Sequence, residues 1–424
     1  MSDPIILWYR NDLRINDHQP LFEAAKTRRP VIPVYIFDDR HYEEIHGFPK
    51  TGGFRAQFLR ESVTALKEAM QGLESDLLVY KGKPEEILPK LAEEFGATAV
   101  FAHEEAAEEE KNVEKAVEEQ LSLKLFWGHT LTHIEDLPFS LEKLPDVFTQ
   151  ARKKVEKYSD VRELVPQPAF LTSPELPETS IPSLEELGLE GIQPDRRAVL
   201  QFKGGLKAGK ERLQYYVWEG QHIATYKDTR NGLIGGDYSG KFSPWLAHGC
   251  LSPREIYWEV QEFERKVKSN SSTYWMVFEL LWRDYFRWVA MKYGNKIFWK
   301  NGIKGYTDLP MRYNLDRLEQ WRLGKTKEPF VNANMKELLH TGYMSNRGRQ
   351  NVASYLVKDL KVDWRLGAAW FESQLIDYDP TSNYGNWTYV AGVGNDPREN
   401  RYFKVSKQAQ RYDPDGQYQN LWEG

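Results

Sequence analysis

The first 130 residues alternate short apolar runs with amphipathic segments. Residues 5–10, 31–39, 76–82, 99–105 and 123–128 are apolar runs rich in β-branched and aromatic residues. Helical spacing is seen over 18–26, from near Thr51, from Pro84, and in an acidic stretch that ends near Leu121. Short buried strands separated by helices form a parallel sheet that is covered on both faces. The pattern therefore predicts a doubly wound α/β domain over residues 1–130.

The rest of the chain falls into two segments that differ in composition and periodicity. Residues 131–203 contain many prolines and show little periodicity, which is typical of a connector that runs between domains. From Gly204 to residue 424 the pattern is helical almost throughout. We therefore predict an α/β domain, a connector over 131–203, and an all-α domain over 204–424.

Composition limits the class of protein without identifying it. With 424 residues, 41% apolar content and one cysteine, Cys250, the chain is an ordinary globular protein and has no disulfide framework. No window approaches 18 consecutive apolar residues, and the N-terminus lacks the layout of a signal peptide. We expect a soluble, cytoplasmic monomer without a membrane segment.

Charge and tryptophan are unevenly distributed. Residues 1–200 carry 24 Lys and Arg against 37 Asp and Glu, whereas residues 201–424 carry 33 against 25. Twelve of the 14 tryptophans also follow residue 200. A basic, indole-rich half suggests contact with a polyanion, base stacking, a bound aromatic cofactor or electron transfer. A dipolar surface without any partner is the alternative interpretation.

Motifs for dinucleotide or metal binding are weak. The first strand is not followed by G-x-G-x-x-G, and His129 and His133 lie four residues apart without the glutamate of an HExxH motif or a cysteine nearby. Two hydrogen-bonded histidines explain that pair better than a metal site does. We therefore predict no metal centre.

Three polar clusters in the helical half carry more specific information. Each could be a capped or salt-bridged helix, but three of them in one tryptophan-rich domain make coincidence a weaker explanation. The clusters lie in 278–288, 345–360 and 376–387, and their notable members are Glu279, Trp282, Arg283, Asn346, Arg347, Arg349, Asp377, Asp379, Asn383 and Trp387.

With these clusters the chain resembles the photolyase/cryptochrome superfamily, and within it the DASH cryptochromes. The resemblance extends from residues 6–18 to 411–422, and its most specific stretches are 241–254, 278–286, 341–360 and 383–403. It implies an N-terminal α/β domain and a helical domain that holds FAD in a folded conformation. The joint occurrence of these stretches in order is far more specific than any one of them.

The resemblance also implies a set of flavin-binding residues. The family's pocket carries over onto Tyr226, Ser239, Gly240, Lys241, Phe242, Ser243, Glu279, Trp282, Arg283, Asn346, Arg349, Asp377, Asp379 and Asn383. We expect Arg349 and Asp377 to form a buried ion pair beside the ring, Asp379 to face the polar edge of the ring, and Asn383 to lie near its N5. Gly240 is a departure, because relatives usually have Thr there.

The implied activity is light-driven repair of cyclobutane pyrimidine dimers. Glu279 would hydrogen-bond the dimer, and Trp282 and Tyr389 would stack on it. Asn383 would hydrogen-bond the flavin at N5, and Gln350 would line the pocket. Related photolyases have Trp where Tyr389 stands and Met where Gln350 stands. Because extruding a dimer from a duplex costs a few kcal/mol, this more polar pocket favours single-stranded DNA.

A tryptophan relay, an antenna and DNA contacts follow from the same resemblance. Trp387 and Trp364 match the first two relay positions, whereas Met311 stands at the third, so slow photoreduction is expected. Tyr306, Tyr313 and Trp299 remain possible replacements. The antenna would be methenyltetrahydrofolate, with Glu108 or Glu109 as its carboxylate, although an acidic solvated face explains these glutamates equally well. The residues proposed to contact the DNA backbone are Lys241, Arg347 and Arg398.

Two other functions remain open at this stage. A blue-light photoreceptor that signals through partners would keep the flavin, although the long C-terminal extension typical of signalling cryptochromes is not expected here. A flavoprotein electron carrier would leave the residues of the lesion pocket unexplained.

Overall fold

The computed structural model describes residues 3–306, 308–398 and 401–423. Its N-terminal domain contains a five-stranded parallel sheet in the order β5-β2-β1-β6-β7. These strands are β1 Ile5–Tyr9, β2 Val31–Phe37, β5 Leu78–Lys81, β6 Ala99–His103 and β7 Leu123–Phe126. The five predicted strands are thereby confirmed, and the short hairpin β3 Glu44–Ile45 with β4 Phe48–Pro49 was not predicted.

Alternation along the central strands builds a core on each face of the sheet. In β1, Ile5 and Leu7 enter one apolar cluster, whereas Ile6 and Trp8 enter another. Successive strand side chains point to opposite faces, so a strand buried at every position needs a covering layer on both sides. The four helices of this domain are α1 Gln19–Lys26, α2 Gly53–Gln71, α3 Pro84–Phe95 and α4 Glu108–Glu118.

The connector contains one regular helix that was not predicted, α5 Phe148–Tyr158. Its buried residues Phe148, Ala151 and Val155 follow helical spacing, so a short periodic signal was present but overlooked. The rest of the connector is tied to the first domain, where the Val31 amide donates to the Thr172 carbonyl at 2.8 Å. The connector therefore forms part of the domain packing.

The remainder of the chain is helical, as predicted. Helix α10 is the longest of these helices, and it begins at a capping box in which Asn270 and Thr273 exchange side-chain and backbone hydrogen bonds. The helices are α6 Leu206–Gln214, α7 Tyr226–Thr229, α8 Ser243–Ala247, α9 Pro253–Lys266, α10 Ser271–Tyr293, α11 Leu315–Arg322, α12 Pro329–Thr341, α13 Asn346–Ser354, α14 Trp364–Gln374, α15 Pro380–Ala391, α16 Val405–Tyr412 and α17 Gln417–Glu423.

Buried polar contacts join the two domains. The fully buried Asp284 carboxylate of α10 accepts the amides of Leu131 and Thr132, each at 2.9 Å. Arg254 of α9 pairs with Asp17 at 2.6 Å. In the described ranges, none of the helices combines the length and the apolar character that crossing a bilayer requires.

Candidate functional site

Two adjoining cavities in the helical domain bring the three polar clusters together. The inner cavity, of about 580 Å³, is lined by Arg349, Asp377, Asn383 and Trp387 among others. The outer cavity is lined by residues that include Glu279, Trp282, Arg283, Tyr389 and Arg401. Both cavities share the residues Asn346, Gln350, Ser382, Asn386 and Val390. Helices α13 and α15 therefore form a common wall between them.

The predicted ion pair lies in the inner cavity. Arg349 Nη2 contacts Asp377 Oδ2 at 2.8 Å, and the Asp377 side chain is 1% exposed. Burial by itself lowers the pKa of Arg349, but the Asp377 carboxylate outweighs this effect and the pKa is raised. Asp377 Oδ1 has no hydrogen-bond partner among the described residues. The ion pair therefore leaves one acceptor, Asp377 Oδ1, free for a further hydrogen bond.

Asp379 is fixed by hydrogen bonds at the start of α15. Its Oδ1 accepts the Ser382 amide and the Thr381 hydroxyl, each at 2.7 Å, which caps the N-terminus of α15. Its Oδ2 pairs with Arg287. Burial raises the pKa of the carboxyl, but nearby arginines, Arg287 first, bring it to about 2. This carboxylate thus caps α15, and it lines both the inner cavity and the cavity between the domains.

Asn383 lies one turn into α15 and is buried. Its Nδ2 donates to the Ala368 carbonyl at 3.0 Å, which holds the amide against α14. This bond uses one of the two N–H donors of the side chain. The amide is therefore fixed in position while part of its bonding capacity remains.

The loop 236–243 is organised by a residue that was not predicted. The Arg212 guanidinium donates to the carbonyls of Gly236, Ser239 and Gly240 at 2.8 to 3.1 Å. A side chain placed at Gly240 would meet the Phe242 ring, so that ring occupies the space of the usual threonine. Tyr226 is buried nearby on α7, and Ser243 begins α8.

Lys241 requires a correction. Its side chain is buried and its Nζ lies 3.1 Å from the centroid of the Tyr238 ring, with no hydrogen-bond partner among the described residues. Burial lowers the pKa of Lys241 well below its usual range. A lysine in this position does not reach a DNA backbone on the surface. Of its two predicted roles, only the one inside the cofactor pocket is compatible with the structure.

The outer cavity has two aromatic walls at a right angle. The ring centroids of Trp282 and Tyr389 are 5.9 Å apart with an interplanar angle of 87°. Phe148 of the connector stacks on Trp282 at 3.7 Å and so fixes one face of the indole. Gln350 accepts a hydrogen bond from Arg347 at 2.8 Å. The corner between the walls can take a flat ligand edge-on to one ring and face-on to the other.

Two arginines of the outer cavity were not predicted. Arg230 pairs with Glu279, and Arg401 lies 4.8 Å over the Tyr389 ring while pairing with the fully buried Asp396 side chain. Arg230 lies outside the specific stretches of the family resemblance, whereas Arg401 lies within residues 383–403 and could have been found there. Arg283 lines the same cavity, and it also binds the carbonyls of His129 and Leu246. Arg398 is exposed near this rim.

The aromatic relay positions lie along α14 and α15. Trp387 lines the inner cavity and is 2% exposed. Trp364 is fully buried, and its Nε1 donates to the Lys300 carbonyl at 3.0 Å. Met311 is 1% exposed, so the residue at the third relay position has no direct contact with solvent.

A third cavity lies between the domains, and the acidic helix α4 supplies part of its lining. Among the described residues that line it are Glu105, Glu109 and Glu110, whereas Glu108 is not one of them. Glu109 pairs with Lys50. Burial, reinforced by the charges of Glu105 and Glu109, raises the pKa of Glu110 to about 8. Of the two predicted antenna residues, Glu109 therefore lines this cavity and Glu108 does not.

A buried cluster of Asp12, His18 and His103 adjoins this region. Asp12 Oδ2 is 2.8 Å from His18 Nε2 and 2.7 Å from His103 Nδ1. His18 Nδ1 accepts the Leu21 amide at 3.1 Å, so the proton of this neutral ring is on Nε2 and is donated to Asp12. In this arrangement both imidazole rings hydrogen-bond the same carboxylate oxygen of Asp12.

Comparisons with known proteins agree with this architecture. Residues 5–171 match the family profile "DNA photolyase", and residues 275–423 match "FAD binding domain of DNA photolyase". A Cryptochrome DASH of Gloeobacter violaceus is 50% identical over 427 residues, which cover 99% of this chain and 85% of that relative.

Solved structures show the same fold. The crystal structure of a Synechocystis sp. cryptochrome matches with a TM-score of 0.96 at 49% identity, over 100% of this chain and 89% of that one. A class III photolyase from Agrobacterium tumefaciens matches at 0.84 and 27% identity, over 100% and 86%. The chain therefore belongs to the photolyase/cryptochrome family, with an FAD-binding helical domain. Within that family it is most similar to the DASH cryptochromes, as the sequence motifs predicted.

Proposed function

We propose that this protein uses light to repair cyclobutane pyrimidine dimers, preferentially in single-stranded DNA. The observation that carries the proposal is the shared wall of the two cavities. A cofactor in the inner cavity and a flat lesion in the outer cavity would be separated by little more than Asn346, Gln350 and α15. Short separation between donor and acceptor is the first requirement for electron transfer.

The inner cavity suits FAD. Asp377 Oδ1 in this cavity, and Lys241 Nζ outside its lining, are buried polar atoms without partners among the described residues, and such groups normally mark a missing ligand or water. A phosphate beside Lys241 and ring N–H or O–H groups beside Asp377 would satisfy both. Arg349 would offer positive charge to a reduced ring, and Asn383 would hydrogen-bond its central nitrogen.

The side chains of the outer cavity would hold and polarise the dimer. Bound FAD, when reduced and excited by light, supplies the electron that cleaves the cyclobutane ring. Trp282 and Tyr389 would stack on the two bases, since their perpendicular rings match the bent shape of a dimer. Glu279, anchored by Arg230, would hydrogen-bond the base edges and stabilise the charge that develops on them.

Cations around the outer cavity would position the flanking phosphates. Arg230, Arg347 and Arg401 surround the opening and come from three separate segments of the chain. Arginine forks bind phosphate bidentately, and such contacts give affinity without reading sequence. The exposed Arg398 is a fourth candidate.

The proposed preference for single strands follows from the small binding energy that the pocket offers to a flipped lesion. Tyr389 offers less stacking area than a tryptophan would, and the Gln350 amide is already bonded to Arg347. Duplex DNA requires a few kcal/mol for extrusion of a dimer, which a single strand does not require. A pocket with modest stacking energy therefore serves single strands better.

The cavity between the domains is the proposed antenna site. Its lining combines the carboxylates of Glu109 and Glu110 with the cations Arg10, Arg40 and Lys50. A pterin offers N–H donors and a folate tail offers carboxylates, so methenyltetrahydrofolate fits this mixed charge pattern. A shift of its absorption on addition to the protein, lost in Glu110→Ala, would test the assignment.

The decisive experiment is repair of one thymine dimer in a single-stranded oligonucleotide by chemically pre-reduced protein. We expect repair in light, none in the dark, and at least tenfold lower efficiency on the same lesion in a duplex. Equal turnover on both substrates would overturn the strand preference. Binding without repair in light would overturn repair itself and leave a light-sensing role.

A further inference from the structure

The tryptophan relay has no solvent-exposed third member, because Met311 is buried in the position where one is expected. A thioether is also harder to oxidise than an indole. An electron hole that reaches Trp364 must therefore be filled by another neighbour. The described part of the chain gives Trp364 one aromatic ring contact, with Tyr384 at 6.1 Å between centroids and an interplanar angle of 75°.

Helices α14 and α15 align the relay with this tyrosine. Trp387 packs at Gly367, where an added Cβ would lie 2.3 Å from the indole. Gly367 is one turn beyond Trp364 on α14, and Tyr384 is one turn before Trp387 on α15. Residues three apart lie on the same side of a helix. Trp364 and Tyr384 therefore meet at one level of the contact between the two helices, and Trp387 lies one turn further along it.

The hydroxyl of Tyr384 has a proton acceptor within hydrogen-bond reach. The Tyr384 hydroxyl donates to Glu372 Oε2 at 3.2 Å, and Glu372 is 4% exposed. A phenol that loses an electron becomes a strong acid, so a carboxylate within hydrogen-bond reach can take its proton. Trp364 lacks such a base, because its Nε1 donates to the Lys300 carbonyl.

We propose that Tyr384 is the terminal electron donor of the Trp387–Trp364 relay and passes its proton to Glu372. One electron moves from Tyr384 to the Trp364 radical cation while the phenolic proton moves to the Glu372 carboxylate. The products are neutral Trp364, a neutral tyrosyl radical and protonated Glu372, so charge and atoms balance. The oxidant is the light-excited oxidised flavin, and the inference therefore rests on the FAD site proposed above.

Electron paramagnetic resonance of illuminated, rapidly frozen, FAD-loaded protein tests this assignment. We expect a tyrosyl spectrum in the wild type that changes when deuterated tyrosine is incorporated. Tyr384→Phe keeps a ring against Trp364 and should give a tryptophanyl spectrum instead. Tyr313→Phe is the matched control, since Tyr313 is exposed and bonds His46, and it should retain the tyrosyl signal.

Glu372→Gln supplies a second variant. It keeps an acceptor oxygen but removes the base, so tyrosyl formation should slow by roughly tenfold or more. A tyrosyl signal that persists in Tyr384→Phe, or a wild type that shows only tryptophanyl radicals, would overturn the proposal. If the wild type forms no protein radical, the relay and Tyr384 both fail. The repair assay with pre-reduced protein then shows independently whether the proposed function survives.

Discussion

Two buried acidic side chains, Asp377 in the inner cavity and Glu110 in the cavity between the domains, differ in whether a cation is paired with them. In the inner cavity, Arg349 is paired with Asp377 at 2.8 Å, and Asp379 is paired and bonded at an α-helix N-cap. In the cavity between the domains, Glu110 has a buried oxygen without a partner among the described residues, and its pKa is raised to about 8.

This difference affects how each buried group would respond to a bound ligand. A preformed ion pair can orient a cofactor without rearrangement, because the cost of burying the charges has been met during folding. An unpaired carboxyl stays protonated at neutral pH, or waits for a donor, and destabilises the protein when it ionises. The Arg349–Asp377 pair therefore needs no ligand to neutralise its charges, whereas Glu110 would be stabilised by a hydrogen-bond donor.

Among the variants that test this comparison, Arg349→Ala should have the largest effect on stability. It leaves Asp377 buried and uncompensated, so we expect a loss of about 3–5 kcal/mol in the free energy of unfolding, together with loss of bound flavin. Chemical denaturation and the flavin absorbance of the purified protein measure both effects. Arg265→Ala, which removes an exposed partner of Glu262, should change little. Unchanged stability in Arg349→Ala would show that the pair is not a preformed anchor.

Glu279→Gln tests the outer cavity. Loss of the carboxylate removes a charge-assisted hydrogen bond of about 1.5–3 kcal/mol to the dimer, and repair by pre-reduced protein should fall about 10- to 100-fold. Glu262→Gln, on the exposed face of α9, is the control for a general effect of charge. If both variants repair at the same rate as the wild type, Glu279 does not act on the lesion.

Glu110→Gln should raise the free energy of unfolding, whereas Arg349→Ala should lower it. The folded-state pKa of about 8 exceeds the ordinary 4.5, so folded protein binds more protons than unfolded protein between these values. Wild-type stability should therefore fall as pH rises from about 4.5 to 8. The variant should be more stable by a few kcal/mol at pH 8 and equal to the wild type near pH 4.

Thermal unfolding of the apoprotein across this pH range measures the difference. A variant that is less stable than the wild type at pH 8 would mean that Glu110 is paired after all. Methenyltetrahydrofolate should reduce the pH dependence if its N–H groups satisfy the carboxylate.

The smallest expected effect belongs to Tyr389→Trp. A larger ring should add about 0.5–1 kcal/mol of stacking on a flipped dimer, which is a two- to fivefold gain in lesion affinity. The gain should be offset in part by loss of the Arg401 contact to the Tyr389 hydroxyl at 3.4 Å. Binding titrations on matched single-stranded and duplex lesions would detect it. No change on either substrate would show that stacking area does not limit binding.

Local pattern determined much of this protein. Short continuous apolar runs identified the five sheet strands, because a parallel strand covered by helices on both faces is buried at successive positions. Helical periodicity identified the second domain, and the family motifs predicted the Arg349–Asp377 pair that the structure contains. These features depend on short-range spacing or on long, specific motifs, which a sequence displays directly.

Only the tertiary structure decided which side chains from distant segments are in contact. Arg230 meets Glu279 from 49 positions away, and Phe148 of the connector covers Trp282. On α4, each residue turns by about 100°, so Glu109 and Glu110 face the cavity while Glu108 does not. The burial of Lys241 and the contact of Tyr384 with Trp364 likewise follow from packing between distant segments, because no local pattern records which surfaces meet.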